Sequence, residues 1–435
     1  MNRQKYYDET GAGETTFTVS ASNIKFGAGC LRELGPDASL LGMKRVAFFV
    51  DANVLETEPA RVALESLNGA NVDAVIYEDA HVEPTDTSFR EATDFARDGE
   101  FDGFISLGGG SVMDTAKAAN LFSTYPDDLL AYVNAPIGQA KPVPGPVKPH
   151  IACPTTSGTG SETTGVTIFD FVERNVKTGI SSKWLKPTMA VVDPTTTESL
   201  PGGIVAATGF DVFTHAIESY TAVPFTGRDR PASPDLRPPY QGANPYSDIG
   251  SMHAIRLGGR YLIRAVNDAS DHEARHALMF ASTLAGLSFG NAGVHIPHAM
   301  SYAVAGLNHT FRAKGYDKAD PMVPHGISVV VNAPAAFRFT AEAAPERHLD
   351  VAAALGADTA GAAPDDAGDV LAERLMSMMR ETGIPNGLQE IGYRDNDVPA
   401  LVQGAFPQQR LLVMAPRPVS EDDLADLFRA AMRYW

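Results

Sequence analysis

Four residues between Asp211 and His325 have the types and spacing of a metal site. Asp211 and His215 stand four apart in GFDVFTHAIESY, so on a helix their side chains share one face, one above the other. Phe210, Phe213, Ile217 and Tyr220 in the same segment step by 3, 4 and 3, which is a helical rhythm. His298 in GVHIPHAMSY and His325 in VPHGISVVV complete a set of one carboxylate and three imidazoles. Such donors suit a borderline divalent ion, Fe²⁺ or Zn²⁺, and can leave one coordination position open to a reactant. An isolated D-x-x-x-H is usually a surface pair or a satisfied core histidine. Crowding favours the metal here. Eight of the 11 histidines (His215, His253, His272, His276, His295, His298, His309 and His325) fall in this stretch, where an even spread would put about three. Spacing alone does not choose between His295 and His298.

A second constellation sits in the first half. The strand-like FDGFISL runs into Gly108, Gly109, Gly110 and Ser111, and then into the helical VMDTAKAANLF. Glycines let a backbone approach a bulky anion, and the helix start that follows offers unpaired N–H groups and a positive dipole end. That combination can seat a pyrophosphate. It is not the usual G-x-G-x-x-G dinucleotide fingerprint. Asp51 instead closes an earlier strand-like run, RVAFFVD, where its carboxylate can take the hydroxyls of an adenosine ribose. Pro154–Ser161, PTTSGTGS, is rich in small hydroxyls after a further strand. It can line a nucleotide or cap its own turns.

These residues need a scaffold of two or three domains, since 435 residues exceed one ordinary core. In the first half, strand-like runs (TFTVSAS, NIKFG, RVAFFVD, DAVIYE, FDGFISLG) alternate with helical ones (EPARVALESL, SFREATDFARDG). That order indicates a mostly parallel sheet covered on both faces. TGVTIFDF, VKTGISS and TMAVVDP read as further strands. From about Pro201 the pattern turns to long helices such as MHAIRLGGRYLIRAV and EARHALMFASTLAGL, so the boundary is expected at 194–205. A net charge of −18 argues against nucleic acid and anionic membranes, and no apolar run approaches a membrane span. Cys30 and Cys153 cannot build a disulfide framework and read as buried thiols in a reducing compartment. The polar, acid-containing start resembles neither a signal nor a transit peptide, which makes the cytoplasm the default, or the mitochondrial matrix for a mature organellar chain.

Taken in order, GGGSVMDTAK, PTTSGTGSE, the D-x-x-x-H of GFDVFTHAIE, the later HAM and the PHG resemble the signature set of the iron-dependent (group III) alcohol dehydrogenases. The likeness covers nearly the whole chain and is strongest to the transhydrogenase branch of that family, through segments such as VEPTDTSF, YQGANPYSDI and PERHLDVAAALGAD. It implies an α/β N-terminal, Rossmann-like dinucleotide-binding domain over 1–200 and an all-α metal-binding domain over 201–435. It implies NAD and one divalent metal, Fe²⁺ ahead of Zn²⁺, with Asp211, His215, His298 and His325 as ligands. It prefers His298 over His295 because the family pattern reads H-A-M. For cofactor contacts it points to Asp51, Gly108, Gly109, Gly110, Ser111, Asp114, Thr155, Thr156, Thr159 and Lys177. An acid at Asp51 favours NAD, because it repels a 2′-phosphate.

Many members carry a second histidine four residues after the third ligand; Tyr302 stands there, as in the transhydrogenase branch. Tyr302 and His295 are the candidate catalytic side chains, His295 as a proton shuttle or as a donor behind the ligands. A divalent ion with one carboxylate ligand keeps enough positive charge to lower an alcohol's pKa and to polarise a carbonyl. The resemblance implies oxidation of 4-hydroxybutyrate to succinate semialdehyde coupled to reduction of 2-oxoglutarate to 2-hydroxyglutarate, in a homodimer without nucleic acid or membrane partners. Basic segments at 224–245 (Arg228, Arg230, Arg237) and 303–324 (Arg312, Lys314, Lys318) fit carboxylated substrates, since guanidinium groups grip carboxylates bidentately. An ordinary NAD-dependent alcohol or hydroxyacid dehydrogenase, a lyase of the dehydroquinate synthase type, and a non-catalytic metal-binding protein, against which the cofactor loops argue, are the alternatives.

Overall fold

A computed structural model describes residues 6–8, 13–172, 176–316 and 321–435, so Lys318 lies outside the described residues. The chain divides into two compact units, Ala21–Ser199 and Leu200–Trp435 with the described residues up to Ser20.

The first unit is built on six parallel strands: β1 (Asn23–Phe26), β2 (Arg45–Val50), β3 (Asp73–Tyr77), β4 (Gly103–Gly108), β5 (His150–Pro154) and β8 (Met189–Val192). β4 and β5 are buried throughout and β2 all but its first residue, as expected of central strands covered on both faces. Alternation along β2 splits its side chains between two cores. Val46, Phe48 and Val50 join Ile105, Leu107, Ile151 and the Glu58–Gly69 helix through Ala60, Ala63 and Leu67. Ala47 and Phe49 meet Phe104, Ala92, Ala96, Val112 and Ala116 on the other face. The strand order is β1-β8-β5-β4-β2-β3. The chain therefore steps outward from β2 to β3, then returns to the opposite side of β2 for β4 and β5. Ligands in open α/β sheets bind beyond the carboxyl ends of strands at such a reversal. Val50 pairs with Leu107 and Gly108 with Pro154, so Asp51, the triple glycine and Thr155 leave the sheet side by side.

Two of the expected strands do not join this sheet. β6 (Val166–Phe171) and β7 (Val176–Ser181) form a separate antiparallel ribbon that sets Asp170 opposite Lys177. TFTVSAS is extended but also joins no sheet. Side-chain amides serve its backbone instead. Thr18 N–H donates to Gln241 Oε1 at 2.8 Å and Gln241 Nε2 donates back to the Thr18 carbonyl at 3.0 Å. Asn291 pairs with Ser20 in the same way, at 2.8 and 3.2 Å. These contacts explain why the segment groups with the helices and not with the sheet it precedes in sequence.

The second unit is helical. Its centre is the Gly202–Thr221 helix, buried almost without a break from Val205 on, its polar side chains included. Small residues let its neighbours approach: a Cβ on Gly209 would come within 2.5 Å of Leu262, and one on Gly258 within 2.1 Å of the Phe213 ring. The His272–Ala292 and Ile296–Gly306 helices meet at 104° across Gly293, whose φ of 100° lies in the left-handed region. Among the described residues no single helix is long and apolar enough to cross a membrane.

Candidate metal centre and nucleotide loops

Asp211 and His215 lie in the middle of the Gly202–Thr221 helix and point the same way, as their spacing requires. The turn at Gly293 and Pro297 at the start of the next helix bring His298 to them. His325 is placed by the glycine after it: a Cβ on Gly326 would sit 1.9 Å from the Ala207 carbonyl and 3.2 Å from Asp211 Cβ. Only glycine lets the His325–Val330 helix touch the central helix there.

One ligand atom from each of Asp211, His215, His298 and His325 lies within 4.8 Å of the others. From Asp211 Oδ1 it is 3.7 Å to His215 Nδ1, 3.5 Å to His298 Nε2 and 3.7 Å to His325 Nε2. Ligands roughly 2.1 Å from a shared ion in a tetrahedral array would stand about 3.4 Å apart. Asp211 Oδ1, His215 Nδ1 and His298 Nε2 are buried with no hydrogen-bond partner. Each such atom costs about 1–3 kcal/mol if left unsatisfied, so three facing one another fit a cation between them. The residues suit a divalent ion.

Asp211 and Glu218 make the cluster a place that favours positive charge. Burial opposes the charge on Asp211, but His215, His325 and His298 outweigh it and hold the carboxyl well below the usual range. Burial pushes His215 down to about 3, which keeps its ring neutral and its lone pair available. Burial also pushes His298 down, yet Glu218 and Asp211 overcome it and raise the ring to about 9. Glu218 was not singled out by sequence reasoning. Its carboxylate is fully buried, binds His298 Nδ1 through Oε2, and accepts the N–H groups of His295 and His298 on Oε1 at 2.8 and 3.3 Å. A carboxylate on Nδ1 fixes the ring so that Nε2 faces the cluster. The signal was present in the sequence: Asp211, His215 and Glu218 step by 4 and 3 along one helix face.

His295 lies at the start of the Ile296–Gly306 helix and outside the four-donor set. Its Nε2 is 3.1 Å from Thr221 Oγ1, and its ring meets Phe337 edge-on. Tyr302 is buried one helical turn past His298 and accepts a hydrogen bond from Arg410 Nη2 at 2.8 Å. The basic residues of the 224–245 loop are differently disposed. Arg228 donates to the Tyr240 carbonyl, Arg237 pairs with Glu14 at 2.8 Å, and Arg230 is exposed.

In the α/β unit, a Cβ on Gly108 would meet Val112 at 2.5 Å and one on Gly110 would meet Thr159 at 2.6 Å, so both positions demand glycine. Gly109 opens the Gly110–Thr124 helix with no side-chain cap, which leaves that end's amides for an anion. Thr156 packs 3.5 Å from the Cβ position of Gly109. Thr155 N–H donates to the Gly108 carbonyl at 2.9 Å, which ties the hydroxyl loop to the glycine turn. The remaining candidates have visible structural duties. Asp51 Oδ1 accepts Asn53 and Val54 N–H groups at 3.0 and 3.1 Å and caps a helical turn. Ser111 Oγ accepts Glu83 N–H at 3.1 Å. Asp114 accepts from Ser161 Oγ at 2.6 Å and Ile168 N–H at 2.8 Å. Lys177 is buried in an ion pair with Glu83 and with Asp170, the latter at 3.1 Å.

Residues 21–194 match the iron-containing alcohol dehydrogenase family, and 240–432 match the Fe-containing alcohol dehydrogenase family, C-terminal. This chain belongs to the iron-containing alcohol dehydrogenases. It is an oxidoreductase of that family. It is 50% identical over 98% of its length to the mitochondrial hydroxyacid-oxoacid transhydrogenase of Bos taurus, covering 92% of that protein. The Homo sapiens protein of the same name is 49% identical with the same coverage of each chain. Among solved structures, a 1,3-propanediol oxidoreductase aligns with a TM-score of 0.83 and 28% identity over 96% of this chain and 100% of that one. An NAD⁺ complex of sulfoacetaldehyde reductase from Bifidobacterium kashiwanohense shares the fold, at TM-score 0.78 and 24% identity over 96% and 99% of the two chains. The parallel-sheet unit followed by a helical unit is the architecture expected from the sequence.

Proposed function

We propose that this protein is a hydroxyacid-oxoacid transhydrogenase: it oxidises 4-hydroxybutyrate to succinate semialdehyde and uses the same hydride to reduce 2-oxoglutarate to 2-hydroxyglutarate. The near full-length likeness to relatives of that name carries the reading, and the buried four-donor cluster supports it. Asp211, His215, His298 and His325 would hold a divalent ion, iron by family, which acts as a Lewis acid on the alcohol or carbonyl oxygen. Asp51, the Gly108–Ser111 turn and Thr155, Thr156 and Thr159 would hold NAD at the strand reversal. Asp114 and Lys177 would act behind them, by fixing the hydroxyl loop and the ribbon.

The residues of this chain do the rest. Glu218 orients His298, and His295 supports Glu218 through its backbone N–H. Tyr302 lines the face one turn from His298 where the substrate binds. The hydride leaves carbon with the hydroxyl proton lost in one half-reaction; carbon regains a hydride and oxygen a proton in the other, so the cycle has no net redox change. The names of the relatives favour the mitochondrial matrix over the cytoplasm as the working compartment. The test is to supply both substrates without free NAD and to measure 2-hydroxyglutarate.

A further inference from the structure

Arg410 lies on the short Gln409–Leu412 helix, more than a hundred positions from His298 in sequence but beside His298's helix in space. Its Nη2 donates to Tyr302 Oη at 2.8 Å, and its guanidinium stands 5.7 Å from the centre of that ring. Tyr240 is the second tyrosine near its guanidinium. Tyr302 shares a helix face with His298, one turn on. Tyr240 packs against Gly293, where a Cβ would meet its side chain at 3.0 Å. Both partners of Arg410 thus belong to segments that frame the four-donor cluster.

The charge balance around Arg410 is unusual. Among the described residues no Asp or Glu pairs with it, and the groups acting on it are the two tyrosines. Burial pushes Tyr240 up to about 12 against the opposing pull of Arg410, so this partner is a neutral phenol. Arg237 has Glu14, and Arg347, which is similarly ringed by Tyr6, Tyr7 and Tyr220, has Asp248 at 2.6 Å. A divalent ion beside Asp211 and Glu218 would be neutralised by those two carboxylates, and Arg410 then leaves one positive charge over. The residue as a whole keeps partial exposure, while burial acts on its guanidinium.

We propose that Arg410, bonded to the Tyr302 hydroxyl with Tyr240 beside it, is the substrate-carboxylate anchor that makes this site select acids over plain alcohols. The proposal rests on the transhydrogenase reading for the identity of the substrates. The planar fork of Arg410 takes a carboxylate bidentately and turns the far, hydroxyl-bearing end of a short chain toward the cluster. Arginines of the 224–245 loop, which sequence alone suggested for this task, are engaged by Glu14 and the Tyr240 carbonyl or are exposed.

The experiment is calorimetric titration of butyrate, a carboxylate without a reacting oxygen at its far end, into metal-loaded wild-type, Arg410→Met and Arg410→Lys proteins. Metal content and thermal midpoint are measured on each. Arg410→Met is expected to weaken butyrate about 100-fold with metal content unchanged, as when one partner of a desolvated charge pair is removed. Arg410→Lys keeps the charge but loses the fork, and is expected to fall between; it also serves if the Met variant does not fold. Equal butyrate affinity in wild type and variants, or no butyrate binding by wild type, overturns the anchor. Formation of 2-hydroxyglutarate by the wild type is read separately. Loss of butyrate binding in Arg410→Met alongside a wild type that forms no 2-hydroxyglutarate would sustain the anchor and reject the transhydrogenase.

Discussion

Glu218 binds Nδ1 of His298 and so leaves Nε2 of that ring 3.5 Å from Asp211 Oδ1. The carboxylate and the ring come from two helices, and one contact fixes both the tautomer and the direction of the third ligand. Replacing His215 or His298 with Ala is expected to remove the ion and abolish activity. Glu218→Gln keeps the shape but not the charge, and is expected to weaken metal affinity about 10- to 100-fold. Metal per chain, measured by mass spectrometry after dialysis against graded chelator, checks both. A fully loaded His298→Ala protein would remove His298 from the ligand set.

Gly326 lets the His325–Val330 helix rest on the central helix, with 1.9 Å between its Cβ position and the Ala207 carbonyl. Gly326→Ala must push the two apart, and His325 moves with its helix. The expected result is a folded protein with a lower thermal midpoint, by a cost of about 1–3 kcal/mol as for other overpacked sites, and with weakened metal binding. Unchanged metal affinity would mean that His325 is not held in place by this contact.

Asp51 follows β2 next to the reversal of strand order, but one of its oxygens already caps a helical turn. Asp51→Gly removes cap and charge together, so Asp51→Asn is the cleaner change, because Asn caps as well as Asp. The Asn variant is expected to keep its stability while it loses affinity for NAD and discriminates less against NADP. Binding of each dinucleotide by titration checks this. An unchanged preference would place the ribose elsewhere.

His150 is buried beside Ser106 Oγ at 2.8 Å, and burial, aided by Lys117, depresses it from 6.5 to about 3. The unfolded chain therefore takes up the proton before the folded one does. The stability this neutral ring confers is complete above 6.5 and drains away as the pH falls from there toward 3, with a slope of at most about 1.4 kcal/mol per pH unit. His150→Gln cannot be protonated. Its stability deficit against wild type, read from urea midpoints, is expected to shrink as the pH falls through that window. A deficit that stays constant would show that His150 does not titrate on unfolding.

Much of this was legible before the structure. The parallel α/β half followed from the alternation of strand and helix patterns, and Asp211 with His215 followed from one spacing on one helix. What stayed hidden depends on contacts between distant segments. The family resemblance pointed to Asp114 and Lys177 as cofactor contacts but could not reveal Ser161, Ile168, Glu83 and Asp170 as their partners. TFTVSAS has the pattern of a strand, yet the amides of Gln241 and Asn291, more than 200 residues away, take its backbone bonds. Glu218 was readable as the third member of a helix face, but a buried carboxylate has meaning only once the ring it orients is found. Arg410 and Tyr302 carry no shared motif, since a hundred residues separate them and only packing joins them.

One bound NAD is expected to carry hydride between two carboxylated substrates. The decisive measurement is a reaction of the purified protein with 4-hydroxybutyrate and 2-oxoglutarate and no added NAD, followed by quantitation of 2-hydroxyglutarate per chain. The expected result is many moles of 2-hydroxyglutarate per mole of protein, matched one-to-one by succinate semialdehyde and insensitive to added NAD. Product that appears only in proportion to added NAD would contradict it and make this protein a dehydrogenase with an exchanging cofactor.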